Sequence, residues 1–425
     1  MKSKGYDRIR EQVFTEKLEN GLTVFVVPKR GYNKKYAFFA TDYGGADRRF
    51  QRAGQWIDTP MGVAHFLEHK MFDTEDGNAL ANLSANGASP NAFTSSDITA
   101  YFFESIDKFE ENLEILLQFV SVPYFTPESV QKEQGIIGQE IRMTEDEPDY
   151  AVYYGLMKAL YRHNPLRDSV AGTVESIAEI TADTLYNCHA VFYNPSNMVL
   201  CVAGDVEPES ILELARRILP KEAGEIPSRD YGPAESSEPE IRRTEKKMSV
   251  SIPIFLIGAK AKPVKDGADY LRQELVGNLA LDILAGHSSP LYLRLYQQGL
   301  VNSGFSATYE AAAGAFYTML GGESKDPDTV FEAIKEEALA IAKNGCDKDL
   351  FDRQKKAALG RQIRALNAFD AVCYNMAHAY FRSYDAFEAT EVLNAITPDD
   401  VTNFVRDNLT PDAMALSVIL PSGDA

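Results

Sequence analysis

The chain has 425 residues, 45% of them hydrophobic and 25% charged, the proportions of an ordinary folded protein, so disorder does not dominate it. Its 43 Lys and Arg against 62 Asp and Glu leave a net charge of −19 without a basic stripe to follow phosphates, which argues against nucleic acid as a partner. A length of this order exceeds what one hydrophobic core usually serves and points to two domains of about 200 residues each.

From the N-terminus, Met1-Lys2-Ser3-Lys4-Gly5-Tyr6 contains no apolar leader segment, and no later run reaches the roughly 18 apolar residues of a membrane span. A cytoplasmic chain that touches no membrane is the expectation. Cys188, Cys201, Cys346 and Cys373 form no Cys-x-x-Cys pair and read as reduced core thiols. After an Asn20-Gly21 turn, alternation predicts strands over 22–27 and 36–41. A helix follows Thr59-Pro60-Met61-Gly62, then a helix over 78–85, a break at Gly87-Ala88-Ser89-Pro90 and a strand over 98–103. Apolar residues at helical spacing mark 109–122 and 127–144 as helices, and Met198-Val199-Leu200-Cys201-Val202-Ala203-Gly204 reads as a buried strand. The mixture is an α+β pattern.

Between 220 and 247 the text turns rich in Pro, Gly, Ser and Glu, as in Gly232-Pro233-Ala234-Glu235-Ser236, and reads as a solvated connector. The second half then repeats the order: a strand near 249–258, helices over 270–285 and 290–298, a strand near 316–320, and helices over 327–344 and 347–367. The expected domains are 1–220, a linker over 221–247, and 248–425. Gly138-Gln139-Glu140-Ile141-Arg142 is echoed by Gly360-Arg361-Gln362-Ile363-Arg364, a slender sign of duplication. The same displacement puts His287 on His65, Leu291 on His69, Pro290 on Glu68 and Gln362 on Glu140. A second copy so aligned lacks the donors for a metal, so one copy is expected to be active and the other inactive.

The chemistry concentrates in the helix after Gly62, Val63-Ala64-His65-Phe66-Leu67-Glu68-His69-Lys70-Met71-Phe72, which contains His-x-x-Glu-His. Four residues apart on a helix, His65 and His69 point the same way and suit one Zn²⁺, with Glu68 placed to act as general base on its water. Two surface histidines and a glutamate would show the same letters. Here Val63, Ala64, Phe66, Leu67, Met71 and Phe72 make the helix apolar on most faces, and partly buried ionisable groups need partners such as a metal. A catalytic zinc needs a third protein donor. The helix over 127–144 offers Glu133 and Glu140, two turns apart on one face; one can bind metal while the other hydrogen-bonds a ligand, and spacing does not rank them.

The His-x-x-Glu-His helix, followed by a helix with two glutamates seven residues apart, resembles the pitrilysin-type zinc metallopeptidases. Ala64-His65-Phe66-Leu67-Glu68-His69-Lys70-Met71-Phe72, Gly87-Ala88-Ser89-Pro90-Asn91-Ala92-Phe93-Thr94-Ser95 and Gly135-Ile136-Ile137-Gly138-Gln139-Glu140 look most like its short bacterial, YmfH-type members. The resemblance covers nearly the whole chain. It implies two similar α+β domains, each a mostly antiparallel sheet packed by helices, together forming half of a peptidase clamshell. It also implies Glu140 as the third zinc ligand, Glu133 in the outer shell, and Asn91, Ala92 and Phe93 as substrate contacts on an edge strand. Arg294 in Leu293-Arg294-Leu295 looks like the family's substrate-carbonyl arginine, but the tyrosine that should stand seven residues on is Val301. Tyr292, Tyr296, Tyr309 or another subunit would have to supply that donor.

Sequence alone thus predicts a zinc-dependent endopeptidase acting on short or unfolded peptides in a chamber formed by two subunits, as a homodimer or with a related chain. The alternative is a non-hydrolytic peptide-binding or processing-complex subunit that needs a related partner. His163, His189 and His378 are isolated and read as packing or surface histidines.

Overall fold

Residues 1–75 and 77–423 are described by a computed structural model of the chain. They form two compact units. The first joins Met1–Ile141, Ser169–Asp230 and Ile363–Phe387; the second joins Arg142–Asp168, Tyr231–Gln362 and Glu388–Ala425.

The first unit is built on a seven-stranded sheet in the order Lys2–Tyr6, Glu11–Lys17, Thr23–Pro28, Met198–Gly204, Lys35–Thr41, Thr99–Ser105, Ser89–Thr94. Met198–Gly204 runs parallel to Thr23–Pro28 and every other pairing is antiparallel. Side chains alternate across the sheet. Val24, Val26, Phe39, Tyr101, Phe103, Leu200 and Val202 face a core shared with the helices Val63–Met71, Phe109–Ser121, Pro127–Glu145 and Pro208–Ile218. Tyr36, Phe38, Ala40, Ala100, Val199, Cys201 and Ala203 face the other way, onto Phe369, Val372, Cys373 and Met376 of the helix Phe369–Phe381. Both faces are therefore covered, which is why Met198–Gly204 is buried at every position and reads as an unbroken apolar run.

The second unit holds a five-stranded sheet ordered Arg243–Met248, Met414–Pro421, Ile254–Lys260, Ala315–Glu323, Ser306–Ala312. Its one parallel pairing is Arg243–Met248 with Met414–Pro421, and the rest are antiparallel. Strand order and direction thus repeat the last five strands of the first sheet. This is the α+β architecture of two similar domains that the sequence predicts.

The units do not follow the contiguous cuts at 220 and 248. Segment 142–168 belongs with the second unit because the helix Pro148–Leu160 packs on that sheet: Gly258 lacks a side chain where a Cβ would come within 2.9 Å of Leu156 Cδ2. Segment 363–387 belongs with the first because its helix seals that sheet's second face. The expected linker is also shorter than its composition implies, since Arg243–Met248 is a strand of the second sheet.

Candidate metal centre

Gly62 sets the motif helix. It precedes Val63–Met71 with φ of 93°, a left-handed conformation that glycine adopts readily, and a Cβ there would lie 2.5 Å from the Ala171 carbonyl oxygen. The helix buries Val63, Ala64, Phe66, Leu67 and Met71 in the core. That seating fixes the direction of the polar residues between them.

His65 and His69 stand edge to face with ring centroids 4.6 Å apart. The helix Pro127–Glu145 brings Glu140 to both: Oε1 is 3.5 Å from His65 Nε2, and Oε2 is 3.6 Å from His69 Nε2. Among the described residues these three form the one group of His, Cys, Asp and Glu able to hold a metal, with ligand atoms all within 4.8 Å of one another. Bonds of about 2.0–2.2 Å at a tetrahedral angle would put donors roughly 3.3–3.6 Å apart. The two N···O separations, one to each Glu140 oxygen, lie in or at the edge of that range, and two imidazoles with one carboxylate are a donor set that zinc accepts.

The surrounding hydrogen bonds orient this set. Glu133, two turns before Glu140, places Oε1 3.2 Å from His69 Nδ1, so the Nδ1–H donates to the carboxylate and Nε2 stays open toward Glu140. Glu68 is 8% exposed and its Oε2 accepts a 2.8 Å hydrogen bond from the Thr94 hydroxyl. His65 Nδ1 is buried without a hydrogen-bond partner, leaving Nε2 as the polar end of that ring.

The electrostatics favour positive charge. Burial pulls the His69 imidazolium down, but the hydrogen bond to Glu133 and the charges of Glu68 and Glu140 outweigh it, so His69 holds its proton above the ordinary range. The hydrogen bond from His65 keeps Glu140 below the usual carboxylate range despite partial burial. Burial would raise Glu133, but the hydrogen bond and charge of His69 bring it below its usual range. Three carboxylates around two imidazoles make a pocket suited to a cation.

The other site residues named from the sequence fall into two groups. Asn91, Ala92 and Phe93 lie on the strand Ser89–Thr94, which ends the sheet order and pairs with Thr99–Ser105. Phe93 turns to the face opposite the motif helix, its ring 6.1 Å from Phe38 and 6.2 Å from Phe102. Arg294 is exposed on the helix Pro290–Gln297 of the second unit. Tyr292 donates to the Asn302 carbonyl at 3.2 Å, Tyr309 accepts from Gln273 at 2.7 Å, and Tyr296 is exposed.

Sequence reasoning gave no role to Thr94 or Lys70. Strand alternation from Ala92 was the available signal for Thr94. For Lys70 it was a lysine amid apolar neighbours beside His69.

Comparison with known proteins identifies the family of the chain. The model of "Insulinase (Peptidase family M16)" matches residues 52–174, and "Peptidase M16 inactive domain" matches 179–358. An uncharacterized zinc protease of Bacillus subtilis, YmfH, is 39% identical over 432 residues, spanning 98% of either chain. The crystal structure of a putative M16-like peptidase from Alicyclobacillus acidocaldarius superimposes with a TM-score of 0.92 at 34% identity, over 97% of this chain and 99% of that one. The periplasmic protease PqqL of Escherichia coli shares the fold, with a TM-score of 0.74 at 17% identity, and 96% of this chain covers 47% of it.

Proposed function

The chain belongs to the insulinase-type peptidases of family M16, and from that premise we propose that it is a zinc-dependent endopeptidase for short or unfolded peptides, working in the cytoplasm. The observation that supports this reading is the convergence of His65, His69 and Glu140, whose ligand atoms all lie within 4.8 Å of one another. His65, His69 and Glu140 would hold the ion, and Glu133 would keep His69 in the tautomer that leaves Nε2 unprotonated. Zinc, when bound, supplies a Lewis acid that polarises the scissile carbonyl and acidifies the attacking water. Glu68 takes the proton from that water and returns it to the leaving amine. Thr94 holds Glu68 Oε2, so Oε1 is the oxygen that exchanges the proton. An extended peptide would add to the open side of Ser89–Thr94 as a further strand, lined by Asn91, Ala92 and Phe93.

Two facts favour a second subunit. The chain matches about half of the PqqL chain, and Val301, where the resemblance expects a tyrosine, is a buried aliphatic side chain with no group to donate. The chamber would therefore close between two copies or with a related chain, Arg294 acting on the substrate carbonyl. Val301 also favours the second reading, a non-hydrolytic peptide-binding subunit. Metal analysis paired with hydrolysis of a quenched peptide, with and without chelator, separates the two. One zinc per chain and chelator-sensitive cleavage support the enzyme; zinc without cleavage supports the partner-dependent subunit; absence of zinc binding removes both.

A further inference from the structure

Lys70 is the most buried lysine among the described residues, 1% exposed. An ammonium taken from water costs several kcal/mol unless it is paired, so its partners bear on what it does. One is Asp73, three residues on, in direct ion-pair contact. The other is Glu133, whose Oε2 lies 3.9 Å from the ammonium, while its Oε1 receives the Nδ1–H of His69. A carboxylate engaged through one oxygen can still turn about its Cγ–Cδ bond. An ammonium beside its second oxygen favours one orientation of that carboxylate, and with it one direction of the ring bonded to it. His69 and Lys70 are consecutive on the motif helix, so their side chains leave it about 100° apart, yet both end on Glu133. The two oxygens thus tie adjacent helix positions to the helix that also carries Glu140.

We infer that Lys70 is a positioning residue of the metal centre: its ammonium anchors Glu133 Oε2 so that Oε1 holds the imidazole of His69 with Nε2 aimed at the ion. The inference rests on the zinc reading above and adds a residue to it. Lys70 touches neither metal nor substrate, and its whole influence on zinc passes through Glu133.

The test measures zinc affinity of the full chain by competition with a chromophoric chelator, for wild type, Lys70→Met, Lys70→Arg, Glu133→Gln and the Lys70→Met/Glu133→Gln double variant. Circular dichroism of each metal-free form checks folding. Loss of a group that orients a metal-bound histidine typically costs about 10–100-fold in affinity; Lys70→Met should lose at least about tenfold, with Lys70→Arg recovering most of it. In the Glu133→Gln background, Lys70→Met should change affinity by less than about threefold, because the route is already cut. A lysine that only fills the core would lower affinity by the same factor in both backgrounds, and that result overturns the inference, as does a folded Lys70→Met chain with wild-type affinity. Should Lys70→Met fail to fold, Lys70→Gln, which keeps a buried amide within reach of Asp73, carries the same comparison. Wild type that binds no zinc at all is a separate outcome, in which the zinc reading itself fails and takes this inference with it.

Discussion

The two units run the same five-strand course, yet among the described residues only the first gathers a donor set for a metal. In the first unit the motif helix, the edge strand Ser89–Thr94 and the helix Pro127–Glu145 supply that site. The corresponding elements of the second in chain order, Ala268–Ala285, Ser306–Ala312 and Lys348–Ala365, surround a cavity of about 720 Å³. Because the counterpart of the motif helix ends before His287, the expected match of His287 to His65 and of Leu291 to His69 does not hold, whereas Gln362 does lie on the counterpart of the Glu140 helix. Several of the cavity's polar groups are already engaged. Arg361 pairs with Asp282, Gln354 donates to the Ser288 hydroxyl at 2.8 Å, and the Nε2–H of His287 donates to the Phe305 carbonyl at 2.8 Å. Glu140 has a glutamine, Gln362, at the echoed position. A shared fold therefore carries no shared chemistry; the side chains aimed into the cleft decide it.

The largest expected effect breaks the pair apart directly. His65→Ala should abolish stoichiometric zinc and, with it, peptide hydrolysis, because a catalytic zinc held by three protein donors does not survive on two. His287→Ala in the second unit should leave both within about twofold, as expected of a surface-type change. Metal analysis of the two variants checks this, and loss of zinc from His287→Ala would show that the units are not divided as described. Next in size is Glu68→Gln. It keeps the volume and the Thr94 contact but cannot accept a proton, so zinc content should hold while kcat falls by about 10²–10⁴. Normal turnover by that variant removes Glu68 as the base.

Acid acts on a buried histidine of the first unit away from the metal centre. His189 is buried, its Nε2–H donating to the Val120 carbonyl at 3.0 Å, and burial lowers its pKa from 6.5 to about 4. Between those values the unfolded chain takes up a proton that the folded chain refuses, so stability falls as pH drops from about 6.5 to about 4 and this loss levels off below. The full effect is about 3 kcal/mol. His189→Gln, whose amide can still reach Val120, should flatten that part of the profile in thermal melts taken across the window. Parallel slopes for wild type and His189→Gln would count against the assignment.

Legibility followed local pattern. The apolar run over 198–204 and the helical spacing over 109–122 and 127–144 announce elements that the structure contains, because each buries a face it encodes itself. Lys2–Tyr6 and Glu11–Lys17 escaped notice since edge-side strands of mixed polarity show little alternation. Amphipathicity says that a helix has a buried face but not which sheet receives it, so the placement of Pro148–Leu160 and Phe369–Phe381 was unreadable. At the site, His65, Glu68 and His69 were readable because one helical turn spaces them. Choosing between Glu133 and Glu140 needed either the resemblance or the observed distances, 3.5 and 3.6 Å from the two Nε2 atoms to Glu140.

The smallest effect sits at the hairpin end of each edge strand, where the two sheets differ in both members of one cross-strand pair. Thr94 lies opposite Thr99 in the first, and Ala312 opposite Ala315 in the second. Thr94→Ala therefore gives the first edge strand the second's side chain at the position that holds Glu68. A hydrogen bond to a charged group is worth about 1.5–3 kcal/mol, so kcat should drop at least about tenfold, with zinc content unchanged and KM nearly so. Thr94→Ser, which keeps the hydroxyl, should stay within about threefold of wild type on the same energy scale. Equal rates for Thr94→Ala and wild type would mean that Glu68 needs no such support, and that the edge strand distinguishes the units only by what it offers a peptide.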